Sequence, residues 1–359
     1  MKVLITGGAG FVGSSLAIRY RETYPDAKII VFDNLKRRGS EINLTTFKKL
    51  NITFVHGDIR SPGDLEELRL THGPFDYFVE ASAEPSVLAG LNGTADYLLQ
   101  TNLVGTLNCL EMAKKSVGAM VFLSTSRVYS IEPLKTINLV EAKTRLEIDV
   151  TAANQVPGVS ALGISEKFPL HLPRSLYGAT KLASELIIQE YVDSLNMKAV
   201  INRCGVIAGP GQFGKVDQGV FTLWVANHYF KKKLKYTGFG GQGKQVRDLL
   251  HPHDLFRLIQ KQFDQIDQCS GKVYNVGGGR PVSTSLLELT KLCESLTGNS
   301  LGIESDLTTS SVDIPLYLSD SSQASKAFDW TPEKDITAIV TEIYQWINRE
   351  RELLTPIFN

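Results

Sequence analysis

The opening residues of the chain exclude most of the folds otherwise open to it. Lys2-Val3-Leu4-Ile5-Thr6 is a short aliphatic and β-branched run without polar alternation, the pattern of a strand buried on both faces. Gly7, Gly8, Gly10 and Gly13 follow at once, and Ser14-Ser15-Leu16-Ala17-Ile18-Arg19-Tyr20 takes up helical periodicity. Strand, glycine turn and helix N-terminus in that order make an anion site. Backbone N–H groups can approach a phosphate where no Cβ intervenes, and the helix dipole favours its charge. Gly13 would let the helix pack close to the strand. The spacing Gly7-x-x-Gly10-x-x-Gly13 is one residue wider at its first gap than the commonest dinucleotide fingerprint.

A second apolar run, Lys28-Ile29-Ile30-Val31-Phe32, closes on Asp33, twenty residues after Gly13. An acidic residue at the end of the second strand accepts hydrogen bonds from an adenosine ribose, and its charge repels a 2′-phosphate. NAD is therefore expected over NADP, although the basic run Lys36-Arg37-Arg38 could offset that repulsion. The alternative is a helix cap on an α/β fold that binds no nucleotide.

A length of 359 residues allows one large domain or two closely joined ones. Basic and acidic residues balance at 38 each, which gives no support to a nucleic-acid or membrane-surface partner. Cys109, Cys204, Cys269 and Cys293 are scattered, with no CxxC pair or nearby histidine. No metal site or disulfide frame is expected, and reduced thiols fit a cytoplasmic protein. The chain enters a strand at its second residue, leaving no room for a signal peptide, and no apolar run is long enough to span a bilayer.

Further along, short apolar runs alternate with helical segments, the pattern of a parallel sheet with crossover helices. Strands are expected at Ile52–His56, Phe75–Glu80, Met120–Leu123, Ala199–Arg203 and Val273–Val276. Helices are expected near Tyr97–Lys115, Ser175–Leu195, Val220–Phe230, Ser285–Thr297 and Ile336–Glu350. From Ser130 to Ser175 the pattern lapses into a long stretch that is either functional or a disordered insertion.

Tyr177-Gly178-Ala179-Thr180-Lys181, opening a helix, carries the chemistry. Tyrosine and lysine four apart share one helical face. The ammonium can stabilise a phenolate, lowering a pKa of about 10. The phenolate can then take a proton from a substrate hydroxyl while hydride leaves the same carbon. Thr125, at the carboxyl end of the fifth strand, can place a second hydroxyl on that alcohol, in the region where such sheets bind ligands. The same spacing also arises in a surface packing pair.

Together GGAGFVG, Asp33-Asn34-Leu35, Gly57-Asp58-Ile59, Ser124-Thr125, Val128-Tyr129, YGATK and Arg247-Asp248 resemble the extended short-chain dehydrogenase/reductase superfamily, the NAD-dependent epimerases and dehydratases. The resemblance runs from Lys2 to about Trp346. It implies an α/β fold: a Rossmann-type doubly wound parallel sheet with a smaller, interleaved C-terminal substrate domain. Residues 1–205 would bind NAD, with 245–275 returning to that domain, and 206–244 and 276–359 would bind a nucleotide sugar. Thr125, Tyr177 and Lys181 match the family's catalytic Ser/Thr, Tyr and Lys. Gly7, Gly10, Phe11, Val12, Gly13, Asp33, Asn34, Asp58, Ile59 and Asn102 match its NAD-contact positions, and the resemblance gives Tyr177 and Lys181 a cofactor contact as well, Lys181 through the nicotinamide ribose. Ala81, Ser82 and Ala83 fall where the family lines the cofactor with small residues, and Glu80 replaces the usual preceding histidine.

Three features narrow the branch. The 4,6-dehydratases carry Asp-Glu after the catalytic threonine, whereas Ser126-Arg127 here lack those carboxyls. Val206 stands where many members have an asparagine for the sugar nucleotide. Asp217-Gln218-Gly219, Gly243-Lys244-Gln245-Val246-Arg247-Asp248 and the long segment before Tyr177 look most like the epimerases that invert C2 of a CDP-sugar. By resemblance Arg247 pairs with the substrate diphosphate, the alternative being an ion pair with Asp248 or another carboxylate. Gln218 would touch the nucleotide. The implied reaction is epimerisation with retained NAD: oxidation to a ketone, rotation in the pocket, and hydride return. The alternatives are a 4-epimerase or other NAD-linked modifier of a UDP- or dTDP-sugar, or a non-catalytic NAD sensor. The resemblance also implies a homodimer or homotetramer and a role in polysaccharide synthesis.

Overall fold

The structure, a computed structural model, describes residues 1–91, 93–214 and 219–358. Its centre is a seven-stranded sheet built from β1 (Lys2–Thr6), β2 (Lys28–Asp33), β3 (Thr53–His56), β4 (Phe75–Glu80), β5 (Val117–Thr125), β6 (Ala199–Cys204) and β7 (Val273–Val276). The order across the sheet is β7-β6-β5-β4-β1-β2-β3. Strand β1 runs parallel to both β2 and β4, with Leu4 opposite Ile30 on one side and Phe78 on the other. The near-continuous apolar sequences follow from this, since a parallel strand covered on both faces has no wet side. Direction of winding reverses between β1 and β4, which makes the crevice beyond their carboxyl ends the ligand position of a doubly wound sheet. In register Thr6 lies opposite Glu80, so the glycine turn after β1 and the segment after β4 begin level.

The chain divides into two compact units. The first comprises Met1–Val128, Leu176–Arg203 and Leu255–Tyr274. Its core joins Leu4, Phe32, Phe78, Met120, Phe122 and Ile201 from the sheet to Leu110 of α2 (Gly105–Ser116) and Ile188 of α3 (Leu176–Leu195). Each such side chain contributes about 1.5–3 kcal/mol through burial.

The second unit comprises Tyr129–Ser175, Cys204–Asp254 and Asn275–Asn359. Strands Val206–Ile207, Ser283–Ser285 and Leu316–Tyr317 all pair with Val246–Leu250. Helices Val220–Tyr229, Leu286–Thr297 and Ile336–Arg349 pack a second core around Trp224, Leu289, Ile339 and Ile343. Ser285 starts the middle helix with a reciprocal capping box to Glu288, which satisfies two orphan N–H donors.

Several details differ from expectation. Residues 130–175 form a short helix and two antiparallel hairpins, Leu139–Glu141 with Leu146–Ile148 and Val159–Ser160 with Gly163–Ile164. Their aliphatics Leu139, Leu146, Ile148 and Val159 pack against Val246, Leu316 and Leu318. This segment therefore clusters with the second unit, although the expected division kept it within 1–205. The return to the first unit begins at Leu255, not 245. A helix over Pro252–Asp264 adds to the expected set. The helix expected over Tyr97–Lys115 is interrupted by a π-helical turn at Gln100–Val104.

Candidate active site

The glycine turn leads into α1 (Phe11–Thr23) with Gly10 as N-cap. No side chain caps this helix end and no acidic residue lies in its first turn. Its first N–H donors, on Phe11, Val12 and Gly13, are those a helix leaves without internal partners. Gly7 has φ +63, and a Cβ there would lie 2.7 Å from the Ala81 carbonyl oxygen. A Cβ on Gly13 would collide with the Gly7 carbonyl oxygen. The turn is thus a bare backbone cradle held against Ala81 and Ser82, shaped for a diphosphate.

Asp33 closes this cradle on the β2 side. One carboxylate oxygen accepts the Ala9 N–H at 3.0 Å and the other the Leu35 N–H at 2.8 Å. Burial raises its pKa above the ordinary carboxylate value, against these N–H donors. With N–H groups of Ala9, Leu35 and Gly10 around it, the carboxylate keeps acceptor capacity for a ribose hydroxyl. Asn34 donates to Asp58 at 2.8 Å, and Arg60 donates to the same carboxylate at 2.7 Å. Burial works upward on Asp58, but the bonds from Arg60 and Asn34 prevail and bring it down to about 2. Ile59 is buried against Gly105. These residues fit NAD: a cradle for its diphosphate and a carboxylate for its adenosine ribose.

Tyr177 and Lys181 occupy the first turns of α3, both buried, with Lys181 inside the core of the unit. Its Nζ lies 3.9 Å from Oε2 of Glu80 and 4.1 Å from the centre of the Phe122 ring. Thr125 ends β5, buried, its hydroxyl oxygen accepting the Arg127 N–H at 3.2 Å. Asn102 lies in the π-helical turn, a device often found at functional positions. Its amide oxygen accepts the Glu84 N–H at 2.8 Å, and its amide nitrogen donates to the Glu84 carbonyl at 3.0 Å and to Thr180 at 3.4 Å. Thr180 in turn donates to the Tyr177 carbonyl at 2.8 Å. Asn102 thus fixes the start of α3 and the segment following Ala83.

Two supports were not anticipated. Glu185, one turn beyond Lys181, accepts from Arg203 Nη2 at 2.7 Å and Nε at 3.0 Å, and from the Ser124 hydroxyl. All three residues are buried. They tie α3 to β6 and to the residue preceding Thr125. The available signal was Arg203 itself, a cation at the end of an apolar strand that needs a buried carboxylate. The other support is Glu80, whose partner is 101 positions away in sequence.

In the second unit, Arg247 donates to Asp313 at 2.9 Å and to the Ile314 carbonyl at 2.6 Å. It does not pair with Asp248, whose buried carboxylate accepts N–H groups of Gly279 at 3.0 Å and Ser319 at 3.1 Å. Val206 begins a short strand. Gln218 and Asp217 lie outside the described residues. All four cysteines are free and buried. No helix among the described residues is long and apolar enough to cross a membrane.

Residues 3–277 match the family model described as NAD dependent epimerase/dehydratase family. The CDP-paratose 2-epimerase of Salmonella typhi is 32% identical over 352 residues, covering 96% of this chain and 99% of that protein. The dTDP-glucose 4,6-dehydratase of Bacillus anthracis, solved in complex with NAD, is 26% identical, with TM-score 0.78 and 99% coverage of both chains. The UDP-glucose 4-epimerase of Thermotoga maritima shares the fold at 22% identity, with TM-score 0.78 over 98% of this chain and 100% of its own.

Proposed function

The chain belongs to the NAD dependent epimerase/dehydratase family and is an NAD-dependent nucleotide-sugar epimerase, and from that premise we propose that it inverts C2 of a CDP-linked sugar. One observation carries the chemistry. Tyr177 and Lys181 lie one turn apart at the buried start of α3, in the unit that holds the glycine cradle. The CDP-sugar reading is supported by the Salmonella typhi relative, a CDP-paratose 2-epimerase matching along nearly its whole length.

Tyr177, as phenolate, takes the proton of the sugar hydroxyl while Thr125 holds the same oxygen through a second hydrogen bond. Lys181 stabilises the phenolate by its charge. Bound NAD supplies the hydride acceptor for the oxidation and the donor for the return. Inversion requires the ketone to present its other face, after which Tyr177 returns the proton. Gly7, Gly10, Phe11, Val12, Gly13, Asp33, Asn34, Asp58, Ile59, Ala81, Ser82, Ala83 and Asn102 hold the cofactor in this reading. Arg247 engages the substrate diphosphate by exchanging its Asp313 partner, a task suited to a guanidinium. Water elimination is disfavoured because Ser126 and Arg127, following Thr125, offer no carboxyl. In the same reading the enzyme works in the cytoplasm as a homodimer or homotetramer, and the exposed leucines of α2 and α3, among them Leu107, Leu186 and Leu195, support a subunit contact there.

The test is incubation with CDP-, UDP- and dTDP-sugars without added cofactor, resolving product stereochemistry by NMR. Conversion of a CDP-sugar to its C2 epimer with no net redox change is expected. Turnover only of UDP- or dTDP-sugars, or a requirement for added NADPH, overturns the reading. Tyr177→Phe should lower kcat by roughly 10²–10⁴-fold while leaving the fold unchanged. Undiminished epimerisation by that variant would show that Tyr177 is not the proton carrier.

A further inference from the structure

Glu80 ends β4 with no exposed surface. Its Oε1 accepts the Ser82 N–H at 2.9 Å and the Thr6 hydroxyl at 3.5 Å. Its Oε2 has no hydrogen-bond partner among the described residues, yet it stands 3.9 Å from Lys181 Nζ. A lone carboxylate or a lone ammonium so deeply buried would be strongly disfavoured, and each makes the other's charge tolerable. We propose that Glu80 is a positioning residue that sets the charge of Lys181, acting as the buried counter-ion that keeps the ammonium protonated into the alkaline range where Tyr177 must serve as base.

Glu185, a buried carboxylate one turn beyond Lys181 on α3, is already taken by Arg203 and the Ser124 hydroxyl. Strand β1 brings the Thr6 hydroxyl to the pair and β5 the Phe122 ring. Helix α2 brings the Cys109 thiol, which burial, together with Glu80, pushes well up. Tyr177 lies one turn earlier on α3. Glu80 is the carboxylate paired with Lys181. Burial raises the Glu80 carboxyl above its ordinary value, while the Lys181 charge and the Ser82 and Thr6 donors pull it back. An opposite charge at this range shifts a neighbour's pKa by about 1–3 units toward the charged form. The sign follows. With Glu80 ionised, Lys181 keeps its proton to higher pH; without it, the ammonium is lost at lower pH.

This inference rests on Tyr177 and Lys181 as the reacting pair, and the experiment separates the two claims. Glu80→Gln retains the volume and an amide oxygen for Ser82. The alkaline limb of its kcat profile should move at least one unit toward acid, with KM little changed below that limb. Glu80→Asp, which keeps the charge, should hold the limb near its original position even if the protein is less stable. In the native protein, the Glu80 ¹³C-carboxyl NMR signal, assigned against Glu80→Asp, should titrate above the ordinary glutamate range and be ionised at the pH of activity. A Glu80 signal that stays protonated throughout the active range, or superimposable Glu80→Gln and native profiles, overturns the inference alone. Full activity in Lys181→Met would instead overturn the reacting-pair reading beneath it.

Discussion

Glu185 offers the sharpest test of what holds the site in place. It and Arg203 are almost wholly buried, with contacts between guanidinium and carboxylate at 2.7, 3.0 and 3.2 Å. At 2.7 Å and an effective dielectric near 20, the gross attraction is about 6 kcal/mol, most of it offset by the desolvation of both charges. The pair therefore adds little net stability over apolar side chains of the same volume. Removing one partner is a different matter, because the surviving charge keeps its desolvation penalty without compensation, at about 3–5 kcal/mol.

Glu185→Gln should thus destabilise the first unit by about 3 kcal/mol or more, whereas Glu185→Leu combined with Arg203→Met should lie within about 1–2 kcal/mol of the native protein. Urea unfolding measures this. Trp224, Trp330 and Trp346 all belong to the second unit, so tryptophan fluorescence follows that unit and far-UV circular dichroism is needed for the first. With a slope of roughly 1–3 kcal/mol/M, the single variant should lower the circular-dichroism midpoint by about 1–3 M. A shift below about 0.3 M, or a double variant no more stable than the single one, would refute the stranded-charge argument.

Two further outcomes follow from the cofactor cradle. Gly13→Ala should abolish retention of NAD through purification, read from the 260 to 280 nm absorbance ratio, because its Cβ collides with the Gly7 carbonyl. Asp58 is held at about 2 by Arg60 and Asn34, so its stabilising contribution is complete above its unfolded value of about 3.9 and is lost as pH falls through 2. Asp58→Asn should therefore flatten the loss of thermal stability between about pH 4 and pH 2, measured as the unfolding midpoint against pH.

Legibility in the sequence tracks the range of the interactions. The cradle is local: strand, turn and helix start are contiguous, and the glycines mark places where backbone meets backbone. Tyr177 and Lys181 are equally legible, being one helical turn apart. Glu80 as the partner of Lys181 is not, because only the fold brings the end of β4 to α3, joining two residues 101 positions apart. The helix over Pro252–Asp264 is not among those the sequence suggests, although Leu255, Phe256, Leu258, Ile259 and Phe263 are spaced for a buried face. Pro252 suggests a break, yet it occupies the first helical position, where its missing N–H costs nothing. The hairpins within 130–175 have strands of only two or three residues, too short for periodicity to reveal.

Arg247 and Asp248 show how sequence adjacency can mislead. They are neighbours of opposite charge, but on a strand successive side chains point to opposite faces, so neither can neutralise the other. Asp248 points inward and is held by backbone N–H groups of Gly279 and Ser319, a fixed structural anchor. Arg247 points the other way, toward Asp313, whose side chain retains about a third of its exposure. In the proposed substrate role, a diphosphate, with more charge and more acceptor oxygens than one carboxylate, would take the place of Asp313, the more exposed partner of the pair. The Ile314 and Val246 carbonyls hold the guanidinium in line, so the proposed exchange would replace only its carboxylate partner.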